Sequence, residues 1–150
     1  MHEMTLRSRA FGDQDPIPAE YSHANGDTSP PLEWSEAPGE VVELALVCED
    51  PDAPSGTFVH WLLAGIPPKT TGLEPGERPA GTVTGRNGYG TPGYGGPHPP
   101  PGDRPHRYFF RLYGLAEPSG LTDGFTTEDL QAVIEEKAVA SGPLVGTYRR

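Results

Sequence analysis

Four side chains able to donate or accept protons stand where two Pro-fixed loops meet two apolar runs. Asp50 opens the loop Asp50-Pro51-Asp52-Ala53-Pro54-Ser55-Gly56, and His60 follows in Val59-His60-Trp61-Leu62-Leu63. His106 and Tyr108 begin His106-Arg107-Tyr108-Phe109-Phe110, behind the loop Gly95-Gly96-Pro97-His98-Pro99-Pro100-Pro101-Gly102 and the tripeptide Asp103-Arg104-Pro105. If the two strands are neighbours, two imidazoles, a phenol and a carboxylate converge at one sheet end. Imidazole and phenol donate hydrogen bonds, which suits a small anion such as phosphate. Asp50 has a place beside them, accepting from a protonated histidine, a phosphate hydroxyl or an ammonium group. Binding is therefore expected to strengthen below neutral pH, as the histidines protonate.

Spacing adds detail. His106 and Tyr108, two apart, share a strand face while Arg107 points away; the same alternation sends His60 and Trp61 to opposite faces. Gly93, Gly95 and Gly96 permit close backbone approach, and exposed amides in such a loop can cradle an anion. Two tight loops facing one site predict a cis bond at Ala53-Pro54 or within Gly96 to Pro101.

Other chemistries compete for the same residues. Asp50, His60 and His106 form a set that could ligate a metal, which would make the chain a weak or metal-assisted hydrolase, but no HxH or HExxH pair supports it. Ser55 lies in no Gly-x-Ser-x-Gly elbow, so no serine nucleophile is expected. Pro97 to Pro101 reads alternatively as a polyproline ligand for SH3-type modules. The blandest alternative is a surface turn beside a core tryptophan. No cofactor is expected, and a binding protein fits better than an enzyme.

Composition narrows the partners. The 150 residues suffice for one domain with a real core. A net charge of -10 argues against nucleic acid and anionic membrane surfaces, which require clustered Lys and Arg. No apolar stretch approaches the length of a spanning helix. The first residues, Met1-His2-Glu3-Met4-Thr5-Leu6-Arg7, carry no hydrophobic signal core, so a cytoplasmic address is expected. Cys48, the only cysteine, sits in an apolar run and is expected in the core. The 20 Gly and 19 Pro reach a level compatible with disorder. Thirteen of them lie between Gly85 and Pro105, however, which marks one rigid loop in a folded protein.

The elements that must position these residues are mostly strands. Val41 to Cys48, Thr57 to Ala64 and His106 to Leu115 are β-prone runs bounded by Gly or Pro, with Thr82-Val83-Thr84 a weaker one. One helix is predicted: Thr126 or Thr127 caps it, Glu128 and Asp129 suit its N-terminus, and Leu130, Val133, Ile134 and Ala138 share a face. Ser141-Gly142-Pro143 should stop it, leaving Leu144 to Tyr148 as a last strand. The architecture is mainly β, two packed sheets with a C-terminal helix.

Taken in order, Asp50-Pro51-Asp52-Ala53-Pro54, His60-Trp61, Gly96-Pro97-x-Pro99-Pro100 and His106-Arg107-Tyr108 resemble the phosphatidylethanolamine-binding protein family. Ser29-Pro30-Pro31-Leu32-Glu33-Trp34 and Leu144-Val145-Gly146-Thr147-Tyr148 resemble its short bacterial and archaeal branch, often described as Raf-kinase-inhibitor-like. The resemblance implies a two-sheet antiparallel β-sandwich of Greek-key type with a C-terminal helix. It implies a pocket for phosphate-like or phosphoethanolamine-like groups, walled by Asp50, His60, His106 and Tyr108, with Pro54 and the Gly95-Gly96-Pro97 backbone as its rim. A small phosphorylated or other anionic ligand, a protein kinase or protease partner, and a monomer or homodimer are in keeping with the family. Whether the C-terminal helix closes over the pocket is left open.

Overall fold

The computed structural model describes residues 1–150 and folds them into two sheets. The loop-rich opening supplies β1 (His2–Glu3), β2 (Leu6–Arg7) and β3 (Leu32–Trp34). β4 (Glu43–Asp50), β5 (Phe58–Ile66), β6 (Gly72–Leu73) and β7 (Val83–Thr84) follow, and β8 (His106–Leu115), α1 (Thr127–Lys137) and β9 (Ala138–Tyr148) close the chain. The larger sheet runs β1-β9-β8-β4-β5-β7 and the smaller β2-β3-β6. Pairing is antiparallel except between β1 and β9.

The unbroken apolar run of β4 follows from its position. Leu44, Leu46 and Cys48 face the core between the sheets, where Leu32, Trp34 and Leu73 of the small sheet meet them. Ala45 and Val47 face the other way, into a second cluster with Leu62, Phe125 and Leu130. A strand covered on both sides needs apolar residues at every step, not alternate ones. Cys48 is a core residue, as expected, and burial pushes its thiol pKa up.

The helix begins where its cap requires. Thr126 Oγ1 accepts from the Asp129 amide at 3.2 Å, and the Asp129 carboxylate accepts from the Thr126 amide at 2.9 Å. This reciprocal capping box is worth about 1 kcal/mol. The expected end is corrected: α1 stops at Lys137, and Ser141-Gly142-Pro143 lies inside β9. Alternate β9 amides point to the open edge, Val145 donating to Asp13 and Thr147 to the Asp15 carbonyl. Pro143 belongs to this series, so the donor it lacks faces that edge and the ladder to β8 loses nothing. Gly142 packs on the Met4 carbonyl, where a Cβ would not fit. Residues that stop helices here serve an edge approached by other backbone.

Candidate ligand pocket

Antiparallel pairing gathers the end of β4 and the starts of β5 and β8 at one end of the larger sheet. Asp50 pairs with Phe58, Glu49 with Phe109, and His106 lies opposite Tyr148. Asp50, His106 and Tyr108 thereby share the inner face and line a cavity of about 180 Å³. His60 and Pro54 line it too.

His60 arrives by a route that alternation does not give. Cys48 pairs with Trp61 but Glu49 pairs with Val59, so His60 is an extra residue on β5. This bulge turns His60 and Trp61 to the same side, His60 into the cavity and Trp61 into the core beside Tyr94. The expectation of opposite faces is thus corrected. Bulges commonly re-aim a side chain in this way next to functional sites.

Each polar wall is fixed by a specific bond. Asp50 Oδ1 accepts from the Asp52 amide at 2.7 Å, and Asp50 Oδ2 bonds His106 Nδ1 at 2.7 Å. Asp52 forks onto the Arg107 guanidinium at 2.8 and 2.9 Å and accepts its amide at 2.9 Å, so the proline loop is tied to the start of β8. The Arg107 bonds hold the Asp52 carboxyl at a pKa of about 2. His60 Nδ1 donates to the Gly95 carbonyl at 2.6 Å, leaving Nε2 free of any protein hydrogen bond. Burial lowers the His60 pKa more than that bond and the Asp50 charge raise it. His60 is therefore a neutral acceptor at physiological pH. Tyr108 is 1% exposed, and its hydroxyl, though close to the Asp50 carboxylate, makes no hydrogen bond of good geometry; burial, then the Asp50 charge and that proximity, raise its pKa.

His106 is held on both sides. A second carboxylate, Asp103, meets its Nε2 at 3.0 Å. Desolvation alone would lower the His106 pKa, but its hydrogen bonds to Asp50 and then to Asp103 outweigh it and the net shift is upward. An imidazolium clamped between two carboxylates is the result.

The glycine loop stands behind this wall. The Gly95 amide donates to the His60 carbonyl at 2.8 Å and the Gly96 amide to Asp27 at 2.8 Å, so neither is open to an anion. The Gly96 carbonyl accepts from the Tyr89 hydroxyl at 2.7 Å, and the Pro97 carbonyl accepts from the His23 amide at 3.0 Å. A Cβ on Gly95 would overlap the Tyr89 ring, and one on Gly96 the Tyr21 backbone. Close approach is what these glycines provide. The next segment supplies wall: Pro99 and Pro100 line the cavity, and Arg150 Nε donates to the Pro99 carbonyl at 2.6 Å. His98 is exposed at its mouth.

Every peptide bond is trans, which corrects the cis expectation; Gly56 at φ 108° and Gly102 at φ 88° provide the reversals instead. No residue of α1 lines the cavity, so the helix is not its lid. No group of three His, Cys, Asp or Glu side chains has a metal-binding arrangement.

Residues that sequence reading did not assign to the site complete its wall. Tyr89 stacks on His23 with centroids 4.3 Å apart and lines the pocket with Phe58. Asn87 gathers Tyr89, Thr91 and Gly93 around its amide. Asp103 was visible only as part of a polar tripeptide, with its spacing of three from His106 the sole hint.

The model of the family described as phosphatidylethanolamine-binding protein matches residues 7–149. A UPF0098 protein of Methanothermobacter thermautotrophicus is 45% identical, the alignment covering 98% of this chain and 99% of the relative. A Mycobacterium tuberculosis protein named as a lipoprotein, LppC, is 40% identical over 97% of this chain and 72% of its own length. Among solved structures, a homologue from Chlamydia trachomatis superposes with a TM-score of 0.92 at 35% identity, covering 100% of this chain and 99% of that one. Escherichia coli YbcL gives 0.90 at 27% identity, covering 98% of each chain. Carboxypeptidase Y inhibitor, solved with its cognate proteinase, shares the fold at a TM-score of 0.56 and 19% identity, covering 98% of this chain and 82% of that one. No helix is long and apolar enough to cross a membrane. With the family model matched over residues 7–149 and a relative 45% identical over nearly the full length of both chains, the chain belongs to the phosphatidylethanolamine-binding protein family.

Proposed function

We propose that the pocket binds a small phosphorylated group that carries its own proton donor: a monoprotonated phosphate or a zwitterionic phosphoethanolamine headgroup. The observation that carries this is the Tyr108 hydroxyl, buried without a partner beside the unbonded Nε2 of His60. Tyr108 donates to a phosphate oxygen. His60 Nε2 and Asp50 accept from a phosphate hydroxyl or an ammonium. Phe58, Pro54 and Pro99 exclude water around them. A bare dianion fits less well, because the one cation in the wall, His106, is already held by carboxylates.

The test is an amide-resolved NMR titration with inorganic phosphate and with O-phosphoethanolamine, on the wild type and on Tyr108→Phe. Saturable shifts at Asp50, His60 and Tyr108, tighter for O-phosphoethanolamine and weakened in the variant, are expected. No saturable shift with either compound at tens of millimolar would overturn the reading.

Regulation of a protein partner, a kinase or a protease, is the second reading, favoured by the fold shared with carboxypeptidase Y inhibitor. Inhibition of a purified serine carboxypeptidase that survives Tyr108→Phe would place that activity outside the pocket. The cytoplasmic address belongs to the same proposal, and cell fractionation tests it.

A further inference from the structure

His106 lines two hollows at once. It forms part of the pocket wall and also borders a polar groove shared with Asp52, Asp103, Arg104 and Arg107. Its Nε2 bonds Asp103 Oδ2 at 3.0 Å, while Nδ1 is bound deeper in by Asp50 at 2.7 Å. The two carboxylates differ in kind. The Asp50 side chain is 4% exposed and accepts a second bond from the Asp52 amide, whereas Asp103 is 42% exposed and its carboxylate hydrogen-bonds only His106. Asp103 also rides on a tight turn, with its amide on the Pro100 carbonyl at 3.2 Å and Gly102 at φ 88°. A carboxylate with one partner and ready access to water is easily exchanged.

We infer that Asp103 is a resident competitor for the ligand, its carboxylate occupying the His106 Nε2 donor that an incoming oxyanion would otherwise take. Resting on the phosphate-group reading of the pocket, this names the element that sets its affinity and selectivity. A carboxylate is planar and singly charged; a phosphate oxygen brings more charge to the same N–H and can displace it, after which Asp103 turns into solvent. A tethered group acts at an effective concentration of roughly millimolar or more, enough to shut out weak carboxylate ligands while only weakening stronger ones. Asp103 thereby discriminates phosphate from the small carboxylic acids.

The experiment compares wild type, Asp103→Ala and Asp103→Asn by calorimetry and by ¹⁵N chemical shifts of the imidazoles, with inorganic phosphate and sodium acetate as probes. Asp103→Ala should bind phosphate about tenfold more tightly and should acquire saturable acetate binding that the wild type lacks, both reported at His106 Nε2. The gain should persist in 0.5 M NaCl, where a long-range charge effect is screened within about 5 Å. Asp103→Asn, which still accepts from Nε2 but more weakly, should fall between. Phosphate binding to the wild type that Asp103→Ala leaves unchanged or weakens would overturn the competitor role and leave the pocket reading standing. A gain abolished by salt would overturn it too. Absence of phosphate binding in both proteins would overturn both.

Discussion

Removing one oxygen from Tyr108 should move stability and binding in opposite directions. The ring is 1% exposed in the core between the sheets, and its hydroxyl is the only buried side-chain polar atom left without a partner. An unsatisfied buried hydroxyl costs about 1–3 kcal/mol. Its position against a cavity of about 180 Å³ allows a water to recover part of that, so Tyr108→Phe should stabilise the free protein by about 1 kcal/mol. For a domain of this size that is a rise in Tm of about 3 °C. The same hydroxyl, donating to a phosphate oxygen, is worth about 1.5–3 kcal/mol, so affinity should fall roughly 10- to 150-fold. Urea unfolding in phosphate-free buffer, followed by the fluorescence of Trp34 and Trp61, measures the first effect and calorimetry with O-phosphoethanolamine the second. A variant less stable than the wild type by 1 kcal/mol or more would refute the reasoning, since the hydroxyl would then hold a structural bond. Stabilisation with unchanged affinity would refute the ligand assignment.

The remaining expectations concern the histidines and the loop that braces them. Asp50→Ala leaves His106 without its inner partner and should destabilise by about 3 kcal/mol, with the His106 pKa falling in an NMR titration. The His106 pKa is raised from 6.5, so the stability its charged form contributes is fully present below pH 6.5 and is lost as pH rises through the shifted value. The difference in unfolding free energy between wild type and His106→Gln, measured from pH 6 to 9, should therefore shrink as pH rises. His60 has the opposite sign: burial lowers its pKa and keeps Nε2 an acceptor, so affinity for inorganic phosphate should climb as pH falls and the dianion takes up the proton that Nε2 accepts, and an affinity flat from pH 5.5 to 8 would contradict this. Gly95→Ala pushes a methyl into the Tyr89 ring and should cost about 1–3 kcal/mol in urea unfolding, releasing His60 Nδ1 from its carbonyl and weakening phosphate binding.

Much of this was legible because particular residues had one physical solution. An eight-residue β4 with apolar side chains on both faces, and a β8 alternating from His106 inward, could only be strands of a packed sheet. The loop prolines and glycines pointed to the sheet end where Asp50, His60, His106 and Tyr108 gather. What stayed hidden depends on pairing, which a single strand does not reveal. The bulge at His60 exists only relative to Cys48 and Glu49 on β4. Pro143 reads as a stop until the edge its ring faces is known. The Gly95 and Gly96 amides looked free because their acceptors, the His60 carbonyl and Asp27, lie 35 and 69 residues away.

The extra residue in β5 also bears on how such a pocket can change over generations. Substitutions at Pro54 or Phe58 reshape the cavity while leaving its frame in place. Losing the single codon of His60 would restore strict alternation, remove the imidazole and keep the β4–β5 ladder. The site would vanish from a protein that still folds. Strand length, more than side-chain identity, is the quantity this pocket cannot let drift.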